Sequence, residues 1–239
     1  MKFTYKAYRS MLSNIQNNGY IFTDYHNMDL YEKAVILRHD IDFSPKKALK
    51  IAEIEHAMGV KSTYFVLLST NFYNICSKEI NDIFSKIVKY GHAIGLHFDE
   101  KRYSYDTIEE LKEKIYFEVD MLSRILNIRV KSVSMHRPSE FILKNELILS
   151  GIENTYCNKY FKEIKYVSDS RMYWRENPIS LVQSNLYKKI QILTHPFWYD
   201  STHLDAKQKL QKFLEDSKEV RFNDIKSNFT NVEEYLKGN

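Results

Sequence analysis

Short apolar runs alternate with longer amphipathic segments along most of the chain, and no other feature of the sequence restricts the fold as much. Runs at 34–37, 63–68, 92–97, 130–135, 166–168 and 190–193 have the length and apolar character of buried strands. Helix signals lie between them. Ser44 and Pro45 read as a cap followed by a first-turn proline, Ile51, Ile54 and Met58 as a buried stripe, and Gly59 as a stop. A second helix ends near Tyr90 and Gly91. Asp106 with Glu109 reads as a capping box that opens a long helix with the stripe Ile108, Leu111, Ile115, Val119, Leu122 and Leu126. Leu210, Phe213 and Leu214 mark a closing helix, and Tyr8, Met11, Leu12 and Ile15 mark one near the start. This alternation predicts a parallel α/β sheet or barrel, in which function gathers at the carboxyl ends of the strands.

The 239 residues suit a single domain over 1–239, with an N-terminal helical extension at about 1–30. A hydrophobic content of 44% with 28% charged residues is that of a soluble globular protein. The 35 Lys and Arg are dispersed among 31 acids, leaving a net charge of +4 and no basic stripe, so nucleic acid is not expected as a partner. Cys76 and Cys157 stand in neither a paired nor a metal-ligand spacing, which fits a reducing cytoplasm. The start lacks the unbroken apolar core of a signal peptide, and no segment approaches the ~20 apolar residues of a membrane span. A cytoplasmic location is therefore expected. The 18 tyrosines could serve a homo-oligomer interface as readily as a glycan groove.

Arg38-His39-Asp40-Ile41-Asp42 follows the first run directly. Strand side chains alternate between faces, so Asp40 and Asp42 emerge together at the carboxyl end. Adjacent carboxylates repel, which suggests a divalent metal or acid/base chemistry; a surface turn before Pro45 is the structural alternative. Four of the other runs end in His97, His136, Asp169 and His195. Parity puts Ala93, Gly95 and His97 on one face and leaves His92 as a packed, hydrogen-bonded core histidine. Ser132, Ser134 and His136 form a polar face that needs a polar occupant. One carboxylate and two imidazoles, Asp42, His97 and His136, are the preferred ligand set for zinc or another first-row divalent ion, with Asp99 as the reserve ligand.

These residues resemble the polysaccharide deacetylase family, metal-dependent carbohydrate esterases that share the NodB-like homology domain. The resemblance runs from about residue 35 to residue 198. Its best matches are Arg38-His39-Asp40-Ile41-Asp42, Gly91-His92-Ala93-Ile94-Gly95-Leu96-His97 and Leu193-Thr194-His195-Pro196. It implies a distorted (β/α) barrel of about seven strands, a base at Asp40, metal ligands at Asp42 and His97, and an acid at His195. The family's second metal histidine falls at Lys101, so His136, at the next strand end, is the substitute. The third family motif, Arg-any-Pro-aromatic, meets His136-Arg137-Pro138-Ser139, which suggests that Arg137 braces Asp40 from one position along. Ser168-Asp169-Ser170 with Trp174 matches the Asp- and Trp-bearing fourth motif loosely. The pattern is closer to divergent deacetylase-like proteins of surface-polysaccharide pathways than to secreted chitin or peptidoglycan deacetylases.

The expected activity is a metal-dependent amidohydrolase that removes an N-acyl group, in the first place N-acetyl, from an amino sugar or sugar-nucleotide intermediate of cell-surface polysaccharide biosynthesis. Asp40 would take the proton of water and His195 would protonate the amine. Trp174, Trp198 and Tyr199 could stack on a sugar ring or pack as core. The alternatives are an inactive sugar-binding or scaffolding barrel and a hydrolase of a nonsugar amide.

Overall fold

A computed structural model of the protein describes residues 1–236, which fall into two compact units, Met1–Ser201 and a second that begins at Thr202. The first unit is built on parallel strands: β1 (Ile21–Thr23), β2 (Ala34–Ile41), β3 (Thr63–Val66), β4 (Ala93–Phe98), β5 (Ser132–Met135), β6 (Glu153–Asn154), β7 (Lys165–Ser168) and β8 (Lys189–Thr194). Their order is β6-β5-β4-β3-β2-β8-β7, with β1 paired to β2 off this path. The seven-strand path curls into a distorted, open (β/α) barrel, the architecture expected from the alternation and the resemblance. β1 pairs with Ala34 to Ile36 and β3 with Arg38 to Ile41, so the two share one edge of β2 in succession.

The helices of this unit are α1 (Tyr5–Asn17), α2 (Pro45–Ala57), α3 (Lys78–Lys89), α4 (Ile108–Leu126), α5 (Glu140–Lys144) and α6 (Pro178–Gln183). Ser44 caps α2, its hydroxyl accepting from the Lys47 amide, and Pro45 opens the first turn. The helix ends before Gly59, whose φ of 67° a side chain would resist. α4 is capped one residue later than the spacing suggests: Thr107 Oγ1 accepts from the Glu110 amide, and Glu110 accepts from the Asp106 amide.

β2 separates two apolar layers by parity. Val35, Leu37 and Ile41 face the helices, in a core with Ile51, Ala52 and Ile192, while Ala34 and Ile36 face the barrel interior with Tyr25, Phe65 and Tyr160. Gly95 on β4 marks how closely the interior is filled, since a Cβ there would lie 2.4 Å from Phe65 Cε1. β1 and β6, three and two residues long, went unrecognised in the sequence because strands so short carry no periodicity. The stretch at 1–30 therefore holds a helix followed by a strand of the sheet.

The second unit consists of α7 (Ala206–Asn228), opened by the capping box of Asp205 and Gln208, and α8 (Val232–Leu236). A Lys226–Glu233 ion pair of 2.7 Å and an edge contact between Phe229 and Tyr235 tie the two helices together. The closing helix marked by Leu210, Phe213 and Leu214 is present, with Leu210 and Leu214 exposed. Among the described residues no helix is long and apolar enough to cross a membrane.

Candidate metal centre and its acid and base

Four strand ends bring their side chains to one place. Asp42, one residue past β2, lies with Oδ1 3.3 Å from His97 Nε2 on β4 and 3.4 Å from His136 Nδ1, directly after β5. The two ring nitrogens are themselves 3.1 Å apart. These three donor atoms fall within 4.8 Å of one another, a spacing that could hold a metal ion. Asp42 Oδ1 is buried without a hydrogen-bond partner, an expensive state for a carboxylate oxygen unless a cation completes it. One carboxylate and two imidazoles with open positions suit zinc or a similar divalent ion. Burial alone would favour neutral Asp42, but His136, His97 and His195 hold its carboxyl well below the usual range.

The end of β2 is fixed from behind. The Tyr73 hydroxyl donates to the Ile41 carbonyl at 2.8 Å and accepts from the Leu67 amide at 2.9 Å, and Thr70 Oγ1 reaches the Asp42 carbonyl at 3.3 Å. His97 is oriented by Ser134 Oγ, 3.0 Å from its Nδ1, which leaves Nε2 directed at Asp42.

Asp40 lies inside the barrel in a two-point ion pair. Arg38 Nε donates to Oδ1 at 2.8 Å and Nη2 to Oδ2 at 2.7 Å. Burial works against the carboxylate, yet Arg38, His97 and His195 keep its pKa below the ordinary value. The remaining guanidinium donors go to Ser134 Oγ and, at 3.0 Å, to Thr155 Oγ1. Arg38 is thus the polar occupant that the serine face of β5 required. Arg137, expected to brace Asp40, does not: it is exposed and points Nη2 at Asp99 Oδ2, 3.4 Å away. The reason is its backbone, which at φ 49° turns the side chain out of the barrel. Asp99 is paired there and caps the turn at Glu100–Arg102 through the Lys101 amide, outside the ligand cluster.

Opposite Asp40, His195 follows β8 and sits with Nε2 3.9 Å from Asp42 Oδ2. Its Nδ1 is 2.6 Å from Asp169 Oδ1, and Asp169 also accepts from the His195 amide at 2.9 Å and from the Tyr199 hydroxyl at 3.1 Å. Burial disfavours the imidazolium, but the hydrogen bond and charge of Asp169, with Asp42 and Asp40 beyond, raise His195 to about 9. Burial likewise pushes Asp169 up, against the pull of His195. Tyr199 and Trp174 are core residues, so the stacking role open to them in the sequence falls away. The rim beside Asp42 is instead lined by Phe43, stacked at 4.7 Å between Phe72 and Phe197.

A second polar cluster lies on the helix side of the same strands. Glu55 of α2 is fully buried and accepts from Tyr8 (2.5 Å), His39 Nε2 (2.7 Å), Ser62 (2.7 Å) and Tyr64 (2.6 Å). His39 Nδ1 in turn lies 2.6 Å from Thr194 Oγ1, so the cluster bridges the residues that precede Asp40 and His195. His92 joins it from Ser62, 3.0 Å away, and is the hydrogen-bonded core histidine that parity indicated. Glu55 was missed in the sequence; the signal that could have found it is an acid at the buried-stripe position one turn after Ile51.

No protein-family model and no curated protein matches the chain. Solved structures similar to it include IcaB from Ammonifex degensii, at 13% identity and a TM-score of 0.41, covering 54% of this chain and 65% of that one. A family 4 carbohydrate esterase from Bacillus anthracis aligns at 18% identity and a TM-score of 0.43, over 87% of this chain and 84% of its own. BA3943, a CE4 family pseudoenzyme from the same organism, aligns at 16% and 0.43, over 79% and 61%. The chain resembles the polysaccharide deacetylases. It spans about two thirds of IcaB and departs from the family motifs at Lys101 and at His136-Arg137-Pro138-Ser139.

Proposed function

We propose that the protein is a metal-dependent hydrolase that removes an N-acyl group, in the first place N-acetyl, from an amino sugar or sugar-nucleotide intermediate of cell-surface polysaccharide assembly. The observation that carries this reading is the convergence of Asp42, His97 and His136 between a carboxylate on one side and a histidine on the other. A divalent cation held by the three, zinc by the chemistry of the donors, supplies Lewis acidity toward a carbonyl oxygen and acidifies water. Asp40 takes the proton of the attacking water, with Arg38 occupying one lone pair on each oxygen and leaving the others available. His195 Nε2 gives a proton to the departing amine, with Asp169 holding the imidazole by its other nitrogen. The resemblance to the deacetylases supports amide rather than phosphate chemistry and a sugar as the substrate. A cytoplasmic location is part of the proposal.

One observation favours a second reading, a barrel that binds without turnover: both oxygens of Asp40 are already engaged by Arg38. Asp40→Asn separates the two. A hydrolase loses on the order of 100-fold or more in acetate release from a panel of N-acetyl sugars while keeping zinc stoichiometry. Absence of acetate release by the zinc-loaded wild type across the panel rejects the hydrolase.

A further inference from the structure

His136 is the only member of the ligand cluster that stands in a strained loop. Arg137 directly after it has φ 49°, a left-handed conformation that a non-glycine residue keeps only where the surroundings enforce it. The enforcing contacts come from three consecutive residues at the end of β4. The His136 amide donates to the Phe98 carbonyl at 2.7 Å, and Arg137 pairs with Asp99 at 3.4 Å. Glu100 accepts from the Ser139 amide on one oxygen at 2.5 Å and from the Ser139 hydroxyl on the other at 2.8 Å. The Tyr105 hydroxyl donates to the same carboxyl, which is buried. Ser139 is also the cap of α5, accepting from the Ile142 amide, so Glu100 fixes both the loop and the start of the helix after it.

We propose that Glu100 is a positioning residue for His136 and thereby sets the cation affinity of the cluster. The inference rests on the metal reading above. The charge matters because hydrogen bonds to a carboxylate are roughly twice as strong as neutral ones, and an amide would also have to turn the Ser139 and Tyr105 hydroxyls around to meet its NH2, so it holds the loop less tightly. Without that grip, residues 136–139 relax toward ordinary backbone angles and His136 Nδ1 leaves its place 3.1 Å from His97 Nε2, while Asp42 and His97 stay on their strand ends. Groups that orient a ligand in this way typically change metal affinity by roughly 10–100-fold.

The test measures zinc affinity by competition with a chromophoric chelator in the full chain, with circular dichroism to establish folding. Glu100→Gln is expected to bind zinc 10- to 100-fold more weakly than wild type. In a His136→Ala background the same substitution is expected to change nothing further, because the ligand it serves is gone. Equal affinity of Glu100→Gln and wild type overturns the assignment, as does a loss of the same size in both backgrounds, which marks a merely structural acid. Should Glu100→Gln fail to fold, Ser139→Ala carries the test, with a loss in the same direction expected and unchanged affinity decisive against. A wild type that binds no zinc overturns the metal reading itself, and this inference with it.

Discussion

Arg38 stands between the rings of Phe65 and Tyr156, 5.3 and 5.2 Å from their centroids, and meets Asp40 with two parallel hydrogen bonds. Removing one partner of such a buried pair leaves the other charge without compensation. Arg38→Met is therefore expected to destabilise the fold by about 3–5 kcal/mol, read from urea unfolding. At the other side of the cluster, Asp169 is the main group that raises His195 to about 9 against burial. In the proposed reaction the acid must be protonated to act, so activity is expected to fall as pH rises through that value. In Asp169→Asn the His195 pKa drops and the alkaline limb of the kcat/KM profile moves to lower pH. An unmoved limb would mean that another group is the acid. Asp40, Asp42, His97 and His136 were all visible as polar ends of apolar runs. Arg38 shares a strand face with Asp40 by simple parity, but an arginine inside a barrel runs against burial statistics, and only its four hydrogen bonds to Asp40, Ser134 and Thr155 explain it. The strain at Arg137 has no sequence signature, which is why the wrong arginine was expected beside Asp40.

At the scale of elements, α2 does more than cover the sheet. It inserts Glu55 into a buried cluster whose donors come from α1, β2, β3 and the turn before β3. Burial opposes the ionised form, yet His39, His92 and Tyr64 hold the Glu55 pKa down to about 2. The sign follows from linkage: a carboxyl depressed in the folded state contributes stability that is fully present above its ordinary value of 4.5 and is lost as pH falls toward 2. Glu55→Gln is expected to lower stability at neutral pH and to flatten the acid limb of the stability curve, measured by thermal melts between pH 3 and 7. A variant with the wild-type acid limb would assign that limb to other carboxyls. The longer helices and strands were readable from periodicity and caps, whereas the short α5, α6 and α8 were not, and β1 and β6 depend on pairing partners that only the folded sheet provides.

At the scale of the molecule, the first unit is held together by a sheet in which chain neighbours and spatial neighbours part company once: β8 returns to lie beside β2. That return sets Thr194 against His39 and so delivers His195 to the rim where Asp42 emerges. A cation that binds the folded cluster and not the unfolded chain stabilises the fold by mass action, about 2.7 kcal/mol at a free concentration of 100 times Kd. Zinc is accordingly expected to raise the melting temperature of the wild type and to leave that of a variant lacking both His97 and His136 unchanged. The α/β class was legible because alternation is a property of the whole chain. The spatial order of the strands was not, since nothing in a linear pattern says that the last long strand pairs with the first.

Asp42, His97 and His136 belong to three separate crossovers, and each needs its own strand seated before it faces the others. No excised peptide of this protein can therefore reproduce the cluster. During synthesis the chain should remain indifferent to zinc until β5 has emerged and docked, so uptake of the ion would report that the central strands have assembled.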